Sequence, residues 1–210
     1  MPLQNRVTPF GELIATEARG TLMGNRGCLH DSERRIRRAF ACKRWITCVV
    51  EFRGRHRHVM APGRYTELFF LDEATALAAG HRPCSECQHE RYRLFCEIWA
   101  SANPQVVFSS RRRADDIDRV LHAERLEGKR GKRTYLERIS GLPSGVMISD
   151  DAGVPYLVLD TRLLEWRPDG YGRSIPQSGE RLVRVLTPPS VVKAISNGYP
   201  VTVHVSARRE

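Results

Sequence analysis

No apolar run in the 210-residue chain approaches the roughly 18 residues that span a bilayer as a helix. The opening stretch MPLQNRVTPFGEL also lacks the hydrophobic core of a secretion signal, so the expected compartment is the cytoplasm. There is no P-loop, GxSxG elbow, HExxH pair or dinucleotide fingerprint, which removes several common enzyme classes. Internal repeats and low-complexity segments are absent as well. Six cysteines occur outside any repeating framework and fit reduced thiols or metal better than disulfides. With 41% hydrophobic and 28% charged residues, the composition is that of a globular protein with one sizeable domain or two small ones.

The strongest positive signal is residues 68–87, LFFLDEATALAAGHRPCSEC. Leu68, Phe69, Phe70 and Leu71 form a compact apolar strand, Asp72 is a good N-cap with Glu73 in the first turn, and residues 74–79 favour helix. Gly80 sits where a left-handed C-cap is wanted, and Pro83 stops the helix from continuing. Cys84 and Cys87 then have the Cys-x-x-Cys separation that closes two thiolates on one tetrahedral ion. The same spacing also serves redox pairs or simply packs two thiols.

Residues 73–87 (EATALAAGHRPCSEC) resemble the signature of the metal-binding domain of Ada-type DNA methylphosphotriester-repair proteins. Over a longer span, TLMGNRGCLHD, PGRYTELFFLDEATALAAGHRPC and VLTPPSVV are similar to a family of bacterial proteins with this core. The Ada resemblance implies bound Zn2+ and association with DNA. That family carries a second cysteine pair just before the apolar strand, one thiolate of which accepts the methyl group. Here residues 58–65 (HVMAPGRY) contain no cysteine, so direct methyl transfer by that route is not expected.

The remaining zinc ligands must come from elsewhere. Residues 45–52 (WITCVVEF) read as a strand that turns at Arg53, Gly54 and Arg55 into a second strand over 56–60, placing Cys48 beside the Cys-x-x-Cys turn. Cys48 shares a face with Ile46, Val50 and Phe52, so a buried core thiol is the competing reading. Cys28 with His30, and His81, are further donors. The expected set is Cys84, Cys87, Cys48 and His30, with Cys42 and Cys96 structural. Cys96 falls on a helix over 88–100 whose apolar stripe is Tyr92, Phe95, Cys96 and Trp99.

Charge is the second large signal. Thirty-four Lys and Arg against 24 Asp and Glu give a formal net charge of +10. The excess is clustered at Arg34, Arg35, Arg37 and Arg38; at Arg53, Arg55 and Arg57; at Arg111, Arg112 and Arg113; and at Lys129, Arg130, Lys132 and Arg133. Such runs are often just solvated faces, but together they favour a polyanion, here double-stranded DNA, held through its phosphates. Asn25 and Arg26 in MGNRG, and Arg125, add candidate phosphate or base contacts, although an ordinary turn uses the same glycines. Tyr65, Tyr92, Tyr135 and Tyr171 are candidates for stacking on an extruded base.

The expected architecture is α+β. A small zinc-centred lobe (residues 1–103) precedes a lobe of a helix and an antiparallel sheet (104–210), packed as one unit. Strands are expected at 106–109, 146–149, 156–159, 163–166, 182–186 and 201–205, with helices at 114–126 and 191–196 and a surface loop at 127–133. On the first of these helices Asp118, His122 and Arg125 share a stripe, with Glu124 nearer the apolar side. An Asp paired with a His one turn on can activate water, so Asp118 and His122 are the candidate catalytic residues. The expected function is hydrolytic removal of a modified base, as by a DNA glycosylase. The alternatives are a non-catalytic zinc DNA-binding module or a metal-dependent nuclease, and a further one is an altered methyl transfer onto Cys28 or Cys48.

Overall fold

The fold is organised around a short helix that solvent does not reach. Strands β1 (Gln4–Val7), β2 (Leu13–Ala15), β3 (Leu22–Asn25), β4 (Ile46–Val49) and β5 (Leu68–Phe70) lead into α1 (Glu73–Ala78), and β6 (Arg82–Pro83) follows it. Every residue of α1 is buried. Its ends are built as the sequence implies. Asp72 accepts from the Thr75 N–H at 2.9 Å, and at the other end His81 N–H bonds Ala76 C=O while Gly80 N–H bonds Leu77 C=O, both at 2.9 Å. That pair of bonds is a Schellman closure, with Gly80 at φ +85°.

In this computed structural model the chain continues through α2 (His89–Ala102), α3 (Arg113–Arg125), β7 (Leu126–Glu127), β8 (Gly131–Lys132), β9 (Tyr135–Arg138), β10 (Met147–Ser149), β11 (Pro155–Leu159), β12 (Arg162–Arg167), β13 (Gly170–Pro176), β14 (Leu182–Val185) and α4 (Pro189–Ser196). The structure describes all residues except 56–57, 107, 109–112, 129–130, 178 and 209–210. No helix among the described residues is long and apolar enough to cross a membrane.

Two six-stranded sheets flank α1. The first, ordered β2-β1-β5-β3-β4-β6, is mixed: β1 runs parallel to β5, and β4 runs parallel to β6. The second, ordered β13-β12-β11-β10-β14-β9, is antiparallel throughout. Ala76 and Ala79 pack on Val7, Leu68 and Phe70 of the first sheet. Ala74 and Ala78 pack with Leu157, Leu164 and Trp166 of the second. Small side chains on opposite faces of α1 let both sheets approach it, so its alanines serve packing as much as helix propensity. Helices α2, α3 and α4 cover the far face of the second sheet through Phe95, Trp99, Leu121 and Val191.

Three local expectations fail for physical reasons. The second strand over 56–60 is absent from the described residues 58–60, while 56–57 lie outside the described residues. The turn at Arg53 and Gly54 does form, with both at positive φ, but β4 takes β3 and β6 as its neighbours. Residues 127–133 are partly ordered as the β7–β8 hairpin instead of a plain surface loop. The strand expected over 201–205 does not form because carboxylates take its backbone donors. Thr202 N–H donates to Glu73 at 2.8 Å and His204 N–H to Asp72 at 2.9 Å. Of the strand expected at 106–109, residues 107 and 109 lie outside the described residues.

Candidate metal centre

The parallel pairing of β4 with β6 brings two distant cysteine segments together. Thr47 lies opposite Pro83, and the Cys84 N–H donates to Thr47 C=O at 2.9 Å, extending the ladder one residue past β6. Gln88 reinforces this through its side-chain amide, which donates to Thr47 C=O at 2.9 Å. Cys48, one residue further along β4, therefore faces the turn that carries Cys84 and Cys87. The three sulfurs lie within 4.8 Å of one another. Cys48 is half-buried, and Val50, which was expected to share a core face with it, is exposed. The core-thiol reading of Cys48 therefore loses its support.

The surroundings of the trio favour negative charge on Cys84. Cys84 is lowered to about 5, chiefly by the hydrogen bond it accepts from Cys48 and then by the backbone N–H groups of Cys87 and Glu86. Cys48 is pushed up by that same bond and by burial, and Cys87 is raised mainly by burial. Backbone N–H groups directed at sulfur are what a turn needs in order to stabilise thiolate charge. The remaining cysteines stand apart: Cys96 is buried among core residues, and Cys42 donates to Arg44 C=O at 3.2 Å.

His30 is not brought to the thiols. Its ring nitrogens are engaged by Thr66 Oγ1 at 2.6 Å and Ala61 C=O at 3.2 Å. Cys28 bonds the His30 carbonyl at 3.7 Å. His81 is fully buried against Trp45 and Phe70, accepts from Arg26 Nε at 3.2 Å, and is held well below its ordinary pKa by burial and then by Arg26. Among the described residues, no fourth His, Cys, Asp or Glu atom joins the trio.

The expected pairing of Asp118 with His122 does not form. Asp118 is buried in a two-pronged bond with Arg82, at 2.9 Å from Nε and 2.7 Å from Nη2. Burial raises its carboxyl, with Arg82 opposing. His122 instead has Nδ1 at 2.9 Å from Arg125 Nη2 and its ring edge-on to Phe40. Desolvation and then Arg125 lower its pKa. The partner of Asp118 is thus a guanidinium from β6, which spacing along the helix could not reveal. Glu124 is also committed, accepting from Ser190 N–H and Oγ at 3.2 and 2.6 Å in the first turn of α4.

The candidate DNA contacts divide into two groups. Arg55 is exposed and pairs with Glu86, inside the cysteine turn, at 2.9 Å. Arg53 and Arg55 both lie over the Phe52 ring. Arg26, Arg125 and Lys132, by contrast, turn inward and are not surface phosphate hooks. Arg26 and Arg125 are 2% and 1% exposed, and each guanidinium lies over the Trp45 indole, at 4.0 and 3.8 Å. Lys132 Nζ donates to Ala78 C=O at the end of α1. All three line one cavity of about 430 Å³. Asn25 stays on β3 and accepts from Gly27 N–H at 3.2 Å, within a turn in which Gly27 has φ +93°. Arg57, Arg111, Arg112, Lys129 and Arg130 lie outside the described residues. Among the stacking candidates, Tyr171 is buried and its hydroxyl donates to Asp72 at 2.8 Å.

Sequence reasoning missed the use made of Asp72 and Glu73 beyond capping. Glu73 accepts from Tyr199 at 2.6 Å, from Thr202 N–H at 2.8 Å and from the Arg91 guanidinium. Asp72 takes Tyr171 and His204 N–H on its second oxygen. The available signal was two adjacent acids at the start of a helix with no exposed face. Comparison of the chain with family models, curated proteins and solved structures finds no match in any of the three.

Proposed function

We propose that the protein is a zinc-bearing DNA-binding protein, with Cys48, Cys84 and Cys87 holding the ion and the basic turn beside it meeting the phosphate backbone. The convergence of three sulfurs from two distant segments within 4.8 Å carries this reading. Three thiolates suit Zn2+, which, when bound, supplies no redox chemistry and ties β4 to the turn after β6. Arg55 pairs with Glu86 in that turn and Arg53 lies over the same Phe52 ring as Arg55, and the formal charge of +10 favours a polyanion. Base excision draws less support from the geometry, because the Asp118 carboxylate is held in the Arg82 fork.

Metal content of the purified protein, measured beside Cys48→Ser, Cys84→Ser and Cys87→Ser, tests the metal assignment. About one zinc per chain is expected, lost in each variant. Binding to unmodified, alkylated and hypermodified duplexes should be salt-sensitive and weaker in Arg53→Ser/Arg55→Ser. Abasic sites on one modified substrate would restore the glycosylase reading. No retained metal, or no binding at low salt, would sink the proposal.

A further inference from the structure

Arg26, Arg125 and Lys132 come from separate parts of the chain, and none forms an ion pair with a carboxylate among the described residues. Their partners are backbone carbonyls and histidine rings: Gly11 C=O and His81 for Arg26; Gly80 C=O, Lys43 C=O and His122 for Arg125; Ala78 C=O for Lys132. Arg26 Nη2 and Arg125 Nε are buried with no hydrogen-bond partner among the described residues. Burying cations without a counter-charge is costly, and neutral carbonyls offset only part of that cost. Asp118, the acid whose charge acts on Arg125, is already bonded to Arg82. Burial disfavours the charge on each, and like charge adds to it for Arg26 and Lys132. Arg26 and Arg125 are lowered to about 9 and Lys132 to about 7, each chiefly by burial.

The cavity these groups line has a cationic mouth as well. Arg37 and Arg38 are on its rim, both exposed, with Arg37 bonded to Asp31 at 2.7 Å. One acid, the exposed Glu12, also lines it. Apart from Gln4, the rest of the wall is mostly apolar, including Phe10, Leu13, Ile36 and Leu126. At about 430 Å³ the space exceeds what a bare oxyanion needs and falls within the range of small-molecule sites. Trp45 holds both guanidiniums in place before any ligand arrives, and guanidinium groups match phosphate geometry.

We propose that this cavity binds a phosphomonoester with an organic body of mononucleotide size, its phosphate near Arg26, Arg125 and Lys132 and its body against the apolar wall. The phosphate comes either from a free mononucleotide or from the 5′-terminal nucleotide of a strand. This site is separate from the cysteine centre and does not depend on the DNA reading.

Calorimetric titration of the full-length protein with 5′-mononucleotides, the matching nucleosides and inorganic phosphate tests the proposal. Saturable binding of at least one mononucleotide is expected, with its nucleoside and inorganic phosphate each weaker by about tenfold or more. Lys132→Met should cut mononucleotide affinity by about tenfold while leaving zinc content unchanged. Arg38→Ser, on the exposed rim, is a second variant that spares the interior and should also weaken binding. Tighter binding of a 5′-phosphorylated single strand than of its unphosphorylated twin would assign the terminal nucleotide as the source; equal binding of the two, with the free nucleotide bound, would assign the free ligand. No saturable binding of any mononucleotide, inorganic phosphate binding as tightly, or affinity unchanged in both variants would overturn the proposal.

Discussion

Replacing Gly80 with alanine should destabilise the protein by about 2–5 kcal/mol, and the structure divides that loss into two parts. Gly80 has φ +85°, a left-handed conformation that costs an alanine roughly 1–2 kcal/mol. A Cβ at this position would also lie 2.4 Å from Cδ and 2.8 Å from Cβ of Arg125. The Arg125 stem has little freedom to retreat. Its guanidinium donates to Gly80 C=O at 2.8 Å and Lys43 C=O at 2.7 Å, and it lies 3.8 Å from the Trp45 ring centroid. Overpacking against so constrained a side chain adds about 1–3 kcal/mol. Urea denaturation followed by circular dichroism measures the total. Gly80→Asn separates the parts, because asparagine tolerates the backbone conformation but brings the same Cβ, and it should recover only the first. Arg125→Ala removes the Cδ and Cγ clashes but keeps the Cβ at 2.8 Å, so the steric part should shrink without vanishing, giving a coupling of up to about 1–3 kcal/mol between the two sites. A loss below about 0.5 kcal/mol for Gly80→Ala, or strict additivity with Arg125→Ala, would refute the close-packing argument.

Three further perturbations probe other parts of the structure. Glu73→Gln removes the charge facing Arg91 and weakens the bonds from Tyr199 and Thr202 N–H; a loss of about 3 kcal/mol and faster hydrogen exchange at Thr202 are expected, and unchanged exchange would show that the segment is held otherwise. Asp118→Asn leaves Arg82 buried without its counter-charge, two residues from Cys84; it should cost about 3–5 kcal/mol and, on the proposed metal assignment, speed metal loss to a chelator, whereas wild-type stability would mean that the pair is not formed in solution. Lys132 titrates near 7 in the folded protein against an ordinary 10.5. The unfolded chain therefore binds the extra proton above neutrality, and stability should rise from about pH 7 to pH 9. Lys132→Met should raise stability at pH 7 and flatten that rise, while an identical slope in wild type and variant would place the titration elsewhere.

Residues 68–87 were legible because their signals are local. An N-cap, a run of helix formers, a left-handed glycine and a proline act within a few residues of one another, and α1 with its caps and the turn after it appears where they place it. The same holds for α2, α4 and most of the second sheet, where short-range periodicity and turn residues suffice. Sequence also put Cys48 with Cys84 and Cys87, although through a hairpin whose second strand is absent from the described residues 58–60; the parallel pairing of β4 with β6 is what joins them. Tertiary structure alone decided the fate of the charges. Whether an arginine meets solvent, a carboxylate or the face of Trp45 depends on chain segments far away in sequence, and nothing in the local pattern of Arg26 or Arg125 marks them as interior. The same long-range choice gave Asp118 to Arg82 instead of His122, and let Asp72 and Glu73 capture the backbone of residues 202 and 204 before it could become a strand.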